Sequence, residues 1–222
     1  MTSRKVNRKA TQKATKKNPA TDDRTNVSTA QWLVDACNEL AVQAGSEPFQ
    51  MDAFASDWNA KAPKHWDEKK DALKQDWSVF KSIFCNPPWK KDIIHGSVKK
   101  AIEAAEKGTT TVLVVPQWGH SWLKECEEHG RVHRIAGSVV FRRKDGTKWT
   151  MNNNKNTSNV LVVVFGPNVE PGNGETIQRR LDDKEKARLA DLEAKVDHWY
   201  EAAVAAAEAL STIQEEGLYE GE

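Results

Sequence analysis

No apolar stretch in this chain approaches the about 20 residues that a membrane-spanning helix needs. The longest runs, Val112 to Val115 and Val160 to Phe165, are far shorter, so a helical membrane anchor is excluded and a soluble, cytoplasmic protein is expected. Cysteine is scarce. Cys37, Cys85 and Cys126 are widely separated and form no CxxC pair, which argues against a disulfide framework and against a zinc site. Free thiols in a reducing compartment are the expectation, with no bound metal. Acidic residues are missing from Met1 to Lys17, where Arg4, Lys5, Arg8, Lys9, Lys13, Lys16 and Lys17 stand among Thr, Asn and Ala. With almost nothing apolar in it, that segment cannot fold alone. It reads as an arm on nucleic-acid phosphates, as a solubilising tail, or as an organellar transit peptide. Basic residues are missing in turn after Leu210, where every charge is acidic.

What is present suits one α/β domain with appendages. The 222 residues are 38% hydrophobic and include nine Trp, enough for one core, since domains commonly run to about 100–200 residues. The pattern divides into a basic arm over 1–27, a catalytic domain over 28–167, a Pro/Gly linker over 168–176, a long amphipathic helix over 177–216 and an acidic tail over 217–222. Ser28 or Thr29 can cap a helix reaching about Ala44, with Gly45 as its stop. Phe49 to Ala55 reads as a short strand and the loop leaving it, and Val79 to Cys85 as a second strand. A helix from about Asp92 to Lys107 closes at Gly108. Thr109 to Val115, β-branched and apolar, suits a strand buried on both faces. After another helix, Val132 to Ile135 and Ser138 to Arg142 read as strands, with a turn at Asp145-Gly146. Val160 to Phe165 is the last strand. Strands alternating with helices imply a doubly wound, mostly parallel sheet. In the long helix, Leu189, Leu192, Val196, Trp199, Ala203, Ala206, Leu210 and Ile213 recur at steps of three and four, a heptad seam that packs on its own domain or on a second copy as a homodimer.

The chemistry concentrates at Asn86-Pro87-Pro88-Trp89. The lone pair of an aromatic amine is delocalised into its ring, which makes the nitrogen a poor nucleophile. Acceptors on its two N–H bonds relieve this, and the Asn86 side-chain oxygen and the Pro87 carbonyl can supply them. Consecutive prolines fix φ and hold those acceptors rigid, while Trp89 can stack on the base. A paired base must first leave its duplex, and stacking on an aromatic compensates for the loss. The string could equally be a proline turn. Its place at the end of a predicted strand, where ligands collect in parallel α/β sheets, favours a site.

These residues resemble the bacteriophage-type, Dam-like DNA N6-adenine methyltransferases, over about Thr29 to Phe165. Thr29-Ala30 stands where the family has Thr-Pro. Asp52-Ala53-Phe54-Ala55 is similar to its Asp-x-x-Ala strand end, Asn59-Ala60 to its Asn-Ala pair, and Asp71-Ala72-Leu73 with Trp77 to its Asp-x-Leu and Trp. Pro116 and Trp122, then Gly137 and Phe141, follow the downstream pattern; Ser138 replaces an arginine usual there. The resemblance implies an S-adenosylmethionine-dependent methyltransferase fold, S-adenosylmethionine as cofactor, DNA as partner and, for a phage-encoded protein, the host cytoplasm. It implies that Asn86, Pro87, Pro88 and Trp89 are catalytic. It further implies that Thr29, Asp52, Ala53, Phe54 and Ala55 border the cofactor, with Asp52 facing its methionine or ribose part, and that Asp71 accepts from the cofactor adenine. A helix cap for Asp52 and a solvated loop for Asp71 are the bland alternatives, and the glycines usual after the first strand are missing. Arg142, Arg143, Lys144 and Lys148 with Trp149 form a basic hairpin that either straddles a phosphate backbone or is a solvated tip. His120, after Trp118 and Gly119, is a pocket or surface residue, and Asn152 to Ser158 is a recognition loop or a polar tip. RNA adenine or a protein glutamine is the alternative substrate, and a nucleic-acid-binding protein that lost the cofactor is the alternative to an enzyme.

Overall fold

A computed structural model describes residues 27–117, 121–149, 160–179 and 183–217, the last stretch with side chains for residues 185–212 only. The basic arm up to residue 26, Trp118 to His120, Asn152 to Ser158 and the acidic tail beyond Gly217 lie outside the described residues. Among the described residues no helix is long and apolar enough to cross a membrane, and no cluster of potential metal ligands occurs. All three cysteines are free and buried.

The described residues up to 178 form one compact unit, built on a sheet of seven described strands in the order β2-β1-β3-β4-β6-β5-β7. The strands are β1 (Met51–Asp52), β2 (Lys64–His65), β3 (Ser82–Cys85), β4 (Thr110–Pro116), β5 (Arg131–Arg134), β6 (Val160–Phe165) and β7 (Gly172–Asn173). β2, β1, β3 and β4 pair in parallel, and β5 and β7 run the same way, so β6 alone is reversed, antiparallel to β4 and β5. The expected α/β, mostly parallel sheet is present. The reversal of β6 was not legible, because Val160 to Phe165 is a continuous apolar run of the kind parallel central strands have.

β4 and β6 are buried at every position, which requires cover on both faces. The helices α1 (Gln31–Gln43) and α2 (Lys91–Ala105) both lie on β4 without packing on each other, and α3 (Ser121–His129) packs on α2. The sheet is therefore sandwiched, α1 on one side and α2 with α3 on the other. α1 places Leu33, Val34, Cys37 and Ala41 in the core, the three-and-four spacing of an amphipathic helix. Gly45 has φ +80, the left-handed conformation that ends a helix at little cost to glycine.

Four local expectations are corrected. α1 is not capped by Ser28 or Thr29: its N-cap is Ala30, which has no side-chain bond to offer. Val79 does not begin a strand, since Trp77–Val79 is a 3₁₀ turn whose entry is capped by the Asp76 carboxylate accepting from Ser78 N–H, and β3 starts at Ser82. Ser138 to Arg142 alternates properly and buries Val139 and Phe141, but among the described residues it makes isolated bridges in place of a strand ladder, Arg142 with Ser28 and with Lys148. The Pro/Gly stretch is not free either. Gly172–Asn173 adds β7 to the sheet edge, and Ile177 N–H donates to the Arg134 carbonyl at 2.8 Å, so the long helix cannot begin at residue 177.

That helix, α4 (Asp183–Gly217), belongs to a second unit. It is one unbroken helix, and its apolar residues are exposed, Trp199 73%, Val196 66% and Leu210 62% among them.

Candidate active site

β1 and β3 are adjacent and parallel, with Asp52 in register with Phe84. From β1 the chain crosses to β2 on one side and returns to β3 on the other. Between β1 and β3 the order reverses, and the crevice beyond their carboxyl ends is where an open α/β sheet binds ligands. Asp52 ends β1, and Asn86 follows the last residue of β3. The two sequence motifs are thus brought to one place. They line a cleft of about 500 Å³, counting the open space at its mouth, together with Val27, Thr29, Phe54, Asn59, Phe84, Pro87, Pro88, Trp89, Phe141 and Trp149.

Asp52 is 2% exposed. One carboxylate oxygen accepts from Phe54 N–H at 3.3 Å and the other from Lys61 N–H at 3.0 Å. Burial disfavours its charged form more than those bonds favour it, and its pKa is raised to about 7. The carboxylate therefore holds a loop in place and still faces the cleft, with a charge that comes and goes near neutral pH.

Asn86 is oriented from below. Its Nδ2 donates to the Thr29 hydroxyl at 2.9 Å, which leaves Oδ1 as the acceptor. Thr29 is itself 5% exposed, so its hydroxyl, free of the capping role expected of it, serves as a fixed support for the amide. The Pro88 carbonyl accepts from Lys90 N–H at 2.7 Å, closing the turn between the motif and α2. Asn59 completes the wall: its Nδ2 donates to the Val27 carbonyl at 2.9 Å, and its Oδ1 accepts from Ser56 N–H at 2.8 Å. This ties the strand end after Asp52 to the segment entering α1.

Trp89 is 5% exposed. It meets Phe141 edge-on at 5.2 Å and Trp149 edge-on at 5.8 Å between ring centroids. Both partners come from the basic hairpin, whose tip is exposed at Arg142, Lys144 and Lys148. Arg142 Nη1 donates to the Gly146 carbonyl at 2.9 Å and Arg143 Nη1 to the Lys148 carbonyl at 3.1 Å, so each guanidinium is partly used in holding the turn. The hairpin is anchored by its aromatics at the cleft and lifts its cations beside it. Phe141 belongs to the downstream pattern of the resemblance and Trp149 to the basic hairpin, but both are more than 50 residues from Trp89 in the chain and neither signal pointed to the cleft.

Several expected residues stand elsewhere. Ala53 and Ala55 are buried, with their N–H groups donating to the Phe84 and Trp66 carbonyls, and they do not line the cleft, whereas Phe54 does. Asp71 is also absent from the lining. It has φ 51 and caps a short 3₁₀ turn, accepting from Leu73 N–H at 3.3 Å and pairing with Lys74 Nζ at 3.0 Å. Leu73 lies on Gly96 of α2 so closely that an added Cβ would stand 2.9 Å from it, and Trp77, 1% exposed, donates from Nε1 to the Ala72 carbonyl at 2.9 Å. The Asp-Ala-Leu and Trp pattern is accounted for as a bracket under α2.

A protein called DNA N-6-adenine-methyltransferase from Escherichia phage T1 is 26% identical over 119 residues, 53% of this chain and 47% of that protein. The chain thus spans about half the length of that curated relative. A proposed class I S-adenosylmethionine-dependent methyltransferase from Listeria monocytogenes, of known structure, is similar at a TM-score of 0.38 and 13% identity, covering 79% of this chain and 65% of that one. The profile of the DNA N-6-adenine-methyltransferase (Dam) family matches residues 18–190, well over half of the chain and the whole of the cleft, and the protein belongs to that family.

Proposed function

We propose that this protein transfers a methyl group from S-adenosylmethionine to the exocyclic amine of adenine in DNA. The observation that carries the reading is the meeting of Asn86, held by Thr29, and the buried carboxylate of Asp52 in one cleft at the carboxyl ends of β1 and β3. A buried acidic group that still faces open space needs a partner, and the ammonium or hydroxyl groups of S-adenosylmethionine are suitable ones, so the donor set fits that cofactor. Asp52 would hold it, with Phe54 beside it as apolar wall. When bound, S-adenosylmethionine supplies an electrophilic methyl group on a sulfonium.

The chain's own residues do the rest. Asn86 Oδ1 and the Pro87 carbonyl accept from the two N–H bonds of the target amine and so return electron density to its nitrogen. Thr29 prevents the Asn86 amide from turning its donor end toward the amine, which would reverse the effect. The amine must leave its base pair to arrive here, and Trp89, with Phe141 and Trp149 around it, offers the stacking surface. Arg142, Arg143 and Lys148 lie on the hairpin that brings those aromatics, where cations can contact phosphates and set the position of the duplex without reading it. The basic arm belongs to the same sequence-independent contact. The exposed apolar seam of α4 is the surface for a homodimer, and a protein acting on DNA in this way works in the cytoplasm.

Methylation of unmodified DNA, followed by nucleoside analysis, tests the reading. N6-methyldeoxyadenosine supports it; a methylated RNA or protein in its place refutes it.

A further inference from the structure

The proposed chemistry leaves one polar group in the cleft without a task. Trp149 is 8% exposed, lines the cleft, and has a buried Nε1–H with no hydrogen-bond partner among the described residues. An indole nitrogen is a donor only, and buried ones ordinarily have an acceptor. Its aromatic neighbours cannot provide a conventional one: Trp89 stands edge-on at 88° and Phe141 edge-on at 86°. The ring is also not free to move away, since the Trp149 backbone N–H donates to the Phe141 carbonyl at 2.9 Å at the foot of the hairpin. Trp149 lines a ligand site, so a ligand seated against its ring is the candidate acceptor for this buried donor.

Which ligand follows from position. The carboxylate of Asp52 serves the cofactor end, and its oxygens already have backbone donors. Trp149 instead touches Trp89, at the end where the base is received. We infer that Trp149 reads the target base, its Nε1–H donating to an unprotonated ring nitrogen of the adenine; this rests on the adenine reading of the cleft given above. With both N–H bonds of the amine taken by Asn86 and Pro87, adenine still has only acceptors around its ring, at N1, N3 and N7. A base with an N–H in the matching place, as guanine has at N1, would set donor against donor and be turned away. The selection is therefore made on ring nitrogens as well as on the amine.

The test uses the full-length protein and duplexes holding a single methylatable adenine, replaced in turn by 1-deaza-, 3-deaza- and 7-deazaadenine. Single-turnover methylation is measured for the wild type, for Trp149→Phe, and for protein carrying benzothienylalanine at 149, which keeps the shape of the indole and lacks the N–H. One deaza base should slow the wild type by about tenfold or more, the loss of a hydrogen bond inside a dry site. Both altered proteins should be slowed by a similar factor on adenine and be indifferent to that same deaza base. Equal rates on all bases for the wild type would overturn the inference, as would altered proteins that keep the wild-type dependence. Should the Phe variant fail to fold, the benzothienyl protein decides by the same two criteria. If the wild type does not methylate adenine at all, the adenine reading falls and this inference with it, a result distinct from ordinary methylation without ring-nitrogen dependence.

Discussion

Replacing Asp52 by Asn should change how stability depends on pH, in a direction and by an amount that follow from burial. The carboxyl loses its proton near 3.8 when exposed and near 7 in the folded protein. Between those values the folded state keeps a proton that the unfolded state has released, so stability falls as pH rises through the window and is flat on either side of it. At about 1.36 kcal/mol per pH unit the loss sums to about 4 kcal/mol. Asn has no proton to lose, so Asp52→Asn lacks this slope, and every other titrating group cancels in the difference between the two proteins. Urea unfolding of both without cofactor, from about pH 4 to pH 8, should find them most alike in acid and Asp52→Asn gaining steadily toward pH 8. S-adenosylmethionine should show the opposite preference: wild-type affinity rises with pH up to about 7 as the carboxylate forms, while the Asn variant binds weakly throughout. A stability difference independent of pH would mean that Asp52 ionises as an exposed acid does, and would refute its placement in a dehydrated cleft.

Three further outcomes can be checked. Thr29→Val keeps the shape and removes the acceptor of Asn86 Nδ2, so single-turnover methylation should slow by about fivefold to tenfold with cofactor affinity unchanged in calorimetry. Asp71→Ala should leave S-adenosylmethionine affinity within about twofold of the wild type, whereas Asp52→Ala should weaken it by about tenfold or more, as befits the one carboxylate of the two that lines the cleft. Gly96→Ala places a methyl against Leu73 and should cost about 1–3 kcal/mol in thermal unfolding without altering the reaction, by overpacking the bracket that seats α2.

What the sequence carried and what it did not divide along physical lines. That Asn86 to Trp89 and Asp52 would stand at strand ends was legible because the signals are local: a Pro-Pro turn stops a strand and a polar residue closes one wherever the fold puts them. α1, α2, β4 and β6 were legible for a similar reason, since each has its own period and its own stop. Strand direction is a property of the partner, so the reversal of β6 left no mark on Val160 to Phe165. The role of Thr29 could not be read from its neighbours, because the partner of its hydroxyl is 57 positions away in Asn86. That Trp149 and Phe141 would line the cleft was hidden for the same reason, since a hairpin folding back on the motif brings them there. Asp71 shows the converse. Its pattern matched a binding role, and a positive φ, a short turn and Leu73 against Gly96 account for it without a ligand.

Following the methyl group shows whether adenine in DNA receives it. Unmethylated DNA is incubated with S-adenosylmethionine bearing a tritiated methyl and with either the wild type or Asn86→Ala, then digested to nucleosides and separated. Tritium should appear in N6-methyldeoxyadenosine for the wild type and, with the acceptor aimed at the reacting amine removed, about 10²–10³-fold less of it for the variant. Tritium in another nucleoside, none in DNA, or equal label from Asn86→Ala would contradict the proposed reaction.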